Sequence, residues 1–531
     1  MKTSYNWLKK YVDLTDISPE LLADKLTNAG LEVEGISRLA YGTNLVVGHV
    51  LECVDHPDSD HLHLCQVDIG KETLQIICGA ANVAQGQKVI VAQVGSQLPE
   101  ITIKAGNIRG EKSQGMICSL FELGVDKKTL SEQELSGITV LPDHAKVGDL
   151  NPLAYLGLDD VLIDISLTPN RADCLALFSL AYEVGAIFDR KVTLPEYENK
   201  SDIGQNSELK IISKTDHCSK FIGKIINKLV IKQSPQWMKD ALLSVGIKSI
   251  NNVVDVSNYV MLETGQPLHF YDLAKMPAKE IIVRDDLETV YTALDGQVYQ
   301  ILKGDLMITS NDQAIGIAGI MGGEDSKIDE STTSIIIEAA IFDLATIRNS
   351  SRRLNLTTEA SLRFQKGIDP LAPKKAVDRA VALLIELAEA GQIEQSVILG
   401  DFSDKPYQIT ISTSFINHYL STHFSMKQII DVFRRLQLDP TYVKDDITVR
   451  IPSYRTDLRL PVDLTEEVIR LLGYENVPST LPKIYQVSGE YALNAKTRYQ
   501  IKDILKDQGF YEVINYSLVS NKHLQDSVLA I

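Results

Sequence analysis

From about Leu45 to Leu150 the chain consists of short β-rich runs broken by glycines and turn residues, and this texture leaves few folds open. Leu45-Val46-Val47-Gly48, Leu62 to Val67, Leu74 to Ile77, Lys88 to Val94 and Ile101-Thr102-Ile103 recur at the spacing of a small barrel. The residues before it differ. Ser18-Pro19-Glu20 supplies an N-cap, a first-turn proline and an acidic first turn. Leu21, Leu22 and Leu26 follow, and Gly30 fits a helix stop. A shorter helix is expected around Tyr5 to Val12.

Beyond the barrel the pattern becomes mixed. Thr168-Pro169-Asn170 signals a helix from Arg171 to Ile187. The polar stretch from Glu196 to Gln205 reads as a linker. Phe221 to Ile226, Ile281-Ile282-Val283 and Ser334 to Ile337 read as strands, and Pro370 to Ala390 as a long helix. A break at Gly400 to Lys405 precedes a compact α/β block from Tyr407 to about Val477, and Pro478 and Pro482 open another linker. Ile501 to Leu505 and Tyr511 to Tyr516 are the last apolar runs. A chain of 531 residues is expected to form roughly three to five domains. The expected class is multidomain α+β. Its pieces are a helical segment over 1–38, a barrel over 39–150, and a connector over 151–199 packing on the first segment. A mixed domain over 200–399, a small α/β domain over 400–478 and a last module over 484–531 complete the partition.

The net charge of −17 argues against broad, non-specific binding to nucleic acid and leaves only local basic patches. There is no apolar run of about 18 residues, so no membrane span is expected. The start, Met1 to Lys10, lacks the apolar stretch of a secretory signal. The six cysteines, Cys53, Cys65, Cys78, Cys118, Cys174 and Cys218, form no C-x-x-C pair, so reduced thiols are expected. His56, His61 and His63 near Cys65 match no common zinc spacing. No P-loop is present, so an independent ATPase is not expected. A large cytosolic enzyme and a multidomain scaffold both survive.

The barrel block carries the most specific motifs. These are His56-Pro57-Asp58-Ser59-Asp60-His61-Leu62, Gln75-Ile76-Ile77-Cys78-Gly79-Ala80-Ala81-Asn82, and the run from Ile108 to Ser119 followed by Glu122-Leu123-Gly124. Together they resemble the tRNA-binding OB-fold domain shared by several synthetases. Such a barrel offers a groove and loops for nucleic acid. Lys104, Arg109, Lys112, Lys127 and Lys128 are the candidate phosphate contacts, although any one of them also reads as a solvated loop charge.

The rest of the chain resembles bacterial phenylalanyl-tRNA synthetase β chains. Tyr5-Asn6-Trp7-Leu8 and Gly30-Leu31-Glu32-Val33-Glu34 look like their opening, and Thr168-Pro169-Asn170-Arg171-Ala172-Asp173 is similar to a later segment. The 200–395 block resembles the family's B3/B4 domain. It contains the run from Asn251 to Tyr259, Gly265-Gln266-Pro267-Leu268-His269, Gly319-Ile320-Met321-Gly322-Gly323-Glu324, Glu338-Ala339-Ala340 and the run from Arg352 to Ser361. The resemblance implies hydrolytic editing. Tyrosine differs from phenylalanine by one hydroxyl, which an apolar pocket rejects by only about 100-fold, so a second, hydrolytic site adds discrimination. The implied pocket residues are Ser257, Asn258, His269, Gly322, Glu338, Thr358 and Ala360. Glu338 would accept from the tyrosine hydroxyl, His269 would position water, and Gly322 would let the backbone approach the ester. Taken alone, His269 also reads as a structural histidine and Glu338 as a surface carboxylate at a strand end.

Ile451-Pro452-Ser453-Tyr454-Arg455-Thr456-Asp457 and the run from Val462 to Arg470 resemble the family's B5 domain, which implies Mg²⁺ on Asp457, Asp463, Glu466 and Glu467. The residues alone support a rival: Asp463 stands where an N-cap belongs, and Glu466 would complete a capping box. Arg434 and Arg435 are weak RNA-contact candidates. Gly489 to Ile531 resembles the start of the family's catalytically silent module, and on this likeness the chain is C-terminally truncated.

The resemblance implies the β subunit of a cytoplasmic ligase, paired with an α subunit as two α and two β chains. ATP and phenylalanine would bind to α, and this chain would bind tRNA-Phe and edit Tyr-tRNA-Phe. The rival readings are a non-catalytic tRNA-binding or assembly fragment and, more remotely, a carboxylate metallohydrolase centred on Asp457.

Overall fold

The structure, a computed structural model, describes residues 1–127, 130–197, 204–403, 406–482, 484–485 and 489–526. They fall into two compact units, Met1–Val477 and Pro478–Ile531.

The first unit begins with a three-stranded antiparallel sheet in the order Lys2–Ser4, Val161–Ser166, Glu32–Arg38. Its middle strand comes from beyond the barrel, so the barrel is an insertion between two strands of one sheet. The helix Pro19–Asn28 is capped as expected, with the Ser18 side chain accepting from Leu21 N–H. The earlier helix spans only Tyr5–Leu8.

The barrel is built on Leu45–Asp55, whose first half pairs with Lys88–Gln93 and whose second half pairs with His63–Asp68. A bulge between Val50 and Glu52 lets this one strand bend from one partner to the other. Val46, Val50, Val67, Ile76, Val89 and Val91 fill the interior. Gly48 is required there: a Cβ would lie 2.6 Å from both Val67 Cγ1 and Val91 Cγ2. Ile101-Thr102-Ile103 does not form the expected strand. Only Thr102 makes a bridge, to Gln97, with Ile103 turned inward and Ile101 left exposed.

The mixed block contains two five-stranded sheets, beside a two-stranded ribbon of Thr289–Thr292 and Val298–Ile301. One has Ser334–Phe342 between Leu268–Asp272 and Cys218–Asn227, all antiparallel. Ile335, Ile337 and Ala339 pack in the core that includes Val256 and Val260 of the helix Asn252–Thr264, and Ala380 and Leu384 of Ala372–Ala388. The alternate residues Ile336 and Ala340 pack on Ile281, Val283, Ile308 and Ile317 of the second sheet. The central strand is therefore buried on both faces, and Glu338 lies between Ile336 and Ala340 on the sheet-to-sheet side.

The block after 406 packs three strands, Gln408–Ser412, Asp446–Arg450 and Pro440–Val443, against the helices Met426–Arg435 and Pro461–Leu472. One expected helix is interrupted: Arg171 to Ile187 is a 3₁₀ segment, Pro169–Leu175, followed by a separate helix, Leu177–Phe188. Arg171 departs from helical geometry at φ −98°, ψ 43°. Its guanidinium pairs with Asp173 and Glu183 in the interior. The second unit holds the helix Leu493–Asp507 and the short helix Asn521–Gln525, with its described residues half-buried or exposed.

Candidate functional site

A cavity of about 70 Å³ opens beside Glu338, between the two sheets and the helix Glu359–Lys366. His269, Gly322, Glu338 and Ala360, four of the residues expected in the pocket, line it together with Tyr271 and Phe364. His269 and Glu338 are direct cross-strand partners, so sheet register brings the imidazole to the carboxylate. Gly322 is glycine for a steric reason: a Cβ would lie 2.2 Å from His269 Cε1. Thr358 caps the helix Glu359–Lys366, accepting from Ser361 N–H at 3.1 Å and donating to Ile320 O at 2.9 Å. It thereby ties this helix to the loop before Gly322. Ser257 and Asn258 are not among the lining residues; both stand on the helix Asn252–Thr264. The Ser257 hydroxyl donates to the Val254 carbonyl of its own helix, the usual fate of a serine in mid-helix.

Burial governs the electrostatics of this cavity. It pushes the Glu338 carboxyl up to about 7, while a hydrogen bond from Tyr271 works in the opposite direction. The same burial lowers His269 to about 4, so its imidazole is neutral near pH 7. His269 Nε2 has no hydrogen-bond partner among the described residues. A neutral imidazole beside a titrating carboxylate can orient a water and accept from a hydroxyl. Ligand pockets usually enclose about 300–1,000 Å³, so an aromatic side chain enters only if these walls separate. Tyr271 went unmarked in the sequence, although the alternation His269-x-Tyr271 placed it on the face of Glu338.

On the barrel, Lys104, Arg109, Lys112 and Lys127 are exposed, and Lys128 lies outside the described residues. Lys104 lines a groove of about 1120 Å³ with Ile108, Phe121 and Glu122. Lys127 Nζ lies 4.4 Å from the centre of the Phe121 ring. Arg109, at a hairpin tip with φ +48°, donates to Asp58 O at 2.9 Å. His56 is buried and accepts from Asp58 N–H through Nδ1. His61 and His63 pair with Asp60 and Asp55. All six cysteines are free.

Of the four carboxylates expected to bind Mg²⁺, Asp457, Asp463 and Glu467 are engaged by other groups, and Glu466 faces solvent. Asp457 is held in a fork by Arg455 Nε and Nη2 at 2.9 and 2.8 Å. Glu467 pairs with Arg455 and Arg470. Burial opposes its charged form, but these two guanidiniums hold it well below the usual carboxylate range. Asp463 is the third residue of the helix Pro461–Leu472, not its N-cap; that place belongs to Leu460. The helix starts at Pro461, where the missing N–H costs nothing. Asp463 therefore caps from inside, accepting from Leu460 N–H and Arg459 N–H at 2.7 and 2.8 Å. Glu466 is exposed. Among the described residues, no group of three or more His, Cys, Asp or Glu side chains is placed to hold a metal ion. Arg435 donates to the carbonyls of Ala186 and Ile187, which makes it a packing residue. Sequence reading missed the core of this region, where Arg171, Arg455 and Arg470 converge on Glu183.

Comparison with known proteins covers all these parts. Residues 45–150 match the model of a putative tRNA binding domain, 217–389 a B3/4 domain and 409–474 a tRNA synthetase B5 domain. Residues 477–528 match a phenylalanyl tRNA synthetase beta chain CLM domain. The chain is 40% identical over 527 residues to the phenylalanine--tRNA ligase beta subunit of Bacillus cereus, which covers 98% of this chain and 65% of that protein. It is 40% identical over 526 residues to the Streptococcus pyogenes protein of the same name and 41% identical over 531 residues to that of Halalkalibacterium halodurans, with the same coverage. The chain thus spans 65% of the length of these relatives. Four successive domain models and a likeness that runs over 98% of the chain thus agree that it is similar to phenylalanine--tRNA ligase beta subunits.

Proposed function

We propose that this chain acts as the β subunit of a phenylalanine--tRNA ligase. It binds tRNA-Phe through the barrel groove at Lys104 and Lys127 and hydrolyses misacylated Tyr-tRNA-Phe in the cavity at Glu338. The α partner binds ATP and phenylalanine and carries out charging, in an assembly of two α and two β chains in the cytoplasm. No helix among the described residues is long and apolar enough to cross a membrane. The partition at about 38, 150, 199, 399 and 478 accompanies this proposal.

The observation that carries the editing reading is the pairing of an unpartnered neutral imidazole with a buried carboxylate, His269 with Glu338, on one cavity wall. Water positioned by His269 adds to the ester carbonyl, and the ester C–O bond breaks. The products are tyrosine and the free 3′-terminal ribose of tRNA. Glu338 accepts from the phenolic hydroxyl, which phenylalanine lacks. An Mg²⁺ requirement is consistent with an aminoacyl-tRNA synthetase, but Asp457, Asp463, Glu466 and Glu467 as arranged do not fit a shared ion.

The test is hydrolysis of preformed Tyr-tRNA-Phe, with and without α, against Ala360→Trp, whose indole fills the cavity. Loss of hydrolysis with charging intact supports the proposal, and unchanged hydrolysis removes the pocket assignment. The small size of the cavity favours one rival, a tRNA-binding and assembly piece without hydrolytic activity. Absence of hydrolysis with α demonstrably bound selects that rival.

A further inference from the structure

Two side chains of the strand Leu268–Asp272, His269 and Tyr271, reach Glu338. Alternate residues of a strand share a face, so Tyr271 points the same way as His269. Its cross-strand partner is Ile336, and its hydroxyl reaches diagonally to Glu338 Oε2 at 2.5 Å. The Tyr271 ring stands nearly perpendicular to the imidazole, with centroids 4.5 Å apart. Tyr271 is 1% exposed, so water does not compete for this bond. The contact is a phenol donating to a buried carboxylate, the same chemistry that a tyrosyl ligand would present.

We propose that Tyr271 is a positioning residue for discrimination at this site: by donating to Oε2 it orients the Glu338 carboxylate and keeps it an acceptor, leaving Oε1 for the phenolic hydroxyl of a tyrosyl ester. The proposal rests on the hydrolytic reading above. An ionised carboxylate only accepts, whereas a protonated one donates through one oxygen. Burial favours the protonated form of Glu338, and the Tyr271 bond favours the ionised one. The titratable groups facing Glu338 are His269 and Tyr271 on one neighbouring strand and the Cys218 thiol on the other, with Tyr291 standing behind Tyr271. The other walls of the cavity bring Gly322, Ala360 and Phe364.

The experiment measures KM and kcat for Tyr-tRNA-Phe hydrolysis between about pH 5.5 and 9. It uses the chain assembled with its α partner, as wild type, Tyr271→Phe and Glu338→Gln. In the wild type, KM should worsen as pH falls through about 7. In Tyr271→Phe that midpoint should move up by about one unit, with kcat changed less than about threefold and KM recovering at high pH. A residue that merely fills space would not move the midpoint. If the midpoint does not move while Glu338→Gln abolishes hydrolysis, the role of Tyr271 is overturned and the site stands. If Glu338→Gln hydrolyses Tyr-tRNA-Phe with full selectivity, the site reading itself fails. Should Tyr271→Phe not fold, replacing the chain's tyrosines by 3-fluorotyrosine keeps their shape and makes the phenols more acidic. The midpoint must then move down, and an unmoved midpoint overturns the proposal.

Discussion

Arg470 Nη1 lies 2.8 Å from Glu183 Oε2 although the two residues are 287 positions apart in the chain. Both side chains are buried, and the same glutamate also receives Arg171. The contact locks the helix Pro461–Leu472 to the helix Leu177–Phe188. A buried ion pair adds little over an apolar contact, but removing one partner strands a charge and costs about 3–5 kcal/mol. Arg470→Met should lower the unfolding free energy by about that amount, and adding Glu183→Gln should recover part of it. Urea titration measures both. A loss under about 1 kcal/mol in the single variant would show that water reaches the cluster.

The same cluster sets an acid limit. Burial opposes charge on Glu183, but Arg171, Arg470 and Arg455 hold its carboxyl at about 2, below the 4.5 of a free glutamate. A depressed carboxylate contributes stability that is fully present above the unfolded value and is lost as pH falls through the folded one. Stability should therefore fall between about pH 4.5 and 2, and Glu183→Gln should flatten that slope. Thermal midpoints over this range check it. An unchanged slope in the variant would move the acid sensitivity to other carboxylates.

The barrel, the capped helix after Ser18 and the strand beginning at Ser334 were legible because each depends on local pattern, whereas the continuation of that strand to Phe342 with Glu338 buried was not. The pocket was legible only in part. His269, Gly322, Glu338 and Ala360 meet because of strand register and a glycine without which the imidazole would not fit, and single-residue patterns do not encode either relationship. Ser257 and Asn258 stand on the helix Asn252–Thr264 outside the lining of this cavity, and the Ser257 hydroxyl bonds the backbone of its own helix. The arginine cluster was hidden for a different reason. Its members come from segments near 171, 183, 455 and 470, and only the assembled fold shows that Asp457 and Glu467 face guanidiniums.

Gly322→Ala tests the steric half of the pocket. The new methyl would overlap His269 Cε1 and Nε2, 2.2 and 2.5 Å from the Cβ position, and the imidazole must swing away. Tyr-tRNA-Phe hydrolysis should fall by about 100-fold, with a stability loss of about 1–3 kcal/mol and charging unaffected. Rates in the assembled enzyme and a denaturation curve read these quantities separately. Hydrolysis within about threefold of wild type would mean that His269 does not need its present place.

Asp463 and Glu466 separate the capping role from the metal role. Asp463 satisfies the N–H groups of Leu460 and Arg459, whereas Glu466 faces solvent. Losing a cap costs about 1 kcal/mol, and an exposed substitution within about 0.5. Asp463→Ala should therefore lower the thermal midpoint and Glu466→Ala should leave it nearly unchanged. Neither Mg²⁺ nor a chelator should shift the wild-type curve, since Asp457 and Glu467 are neutralised by Arg455 and Arg470. A midpoint that rises with Mg²⁺ in the wild type, but not in Asp463→Ala or Glu466→Ala, would mean the opposite. It would show that these carboxylates leave their present partners to gather around an ion, and that Asp463 caps the helix only until the ion arrives.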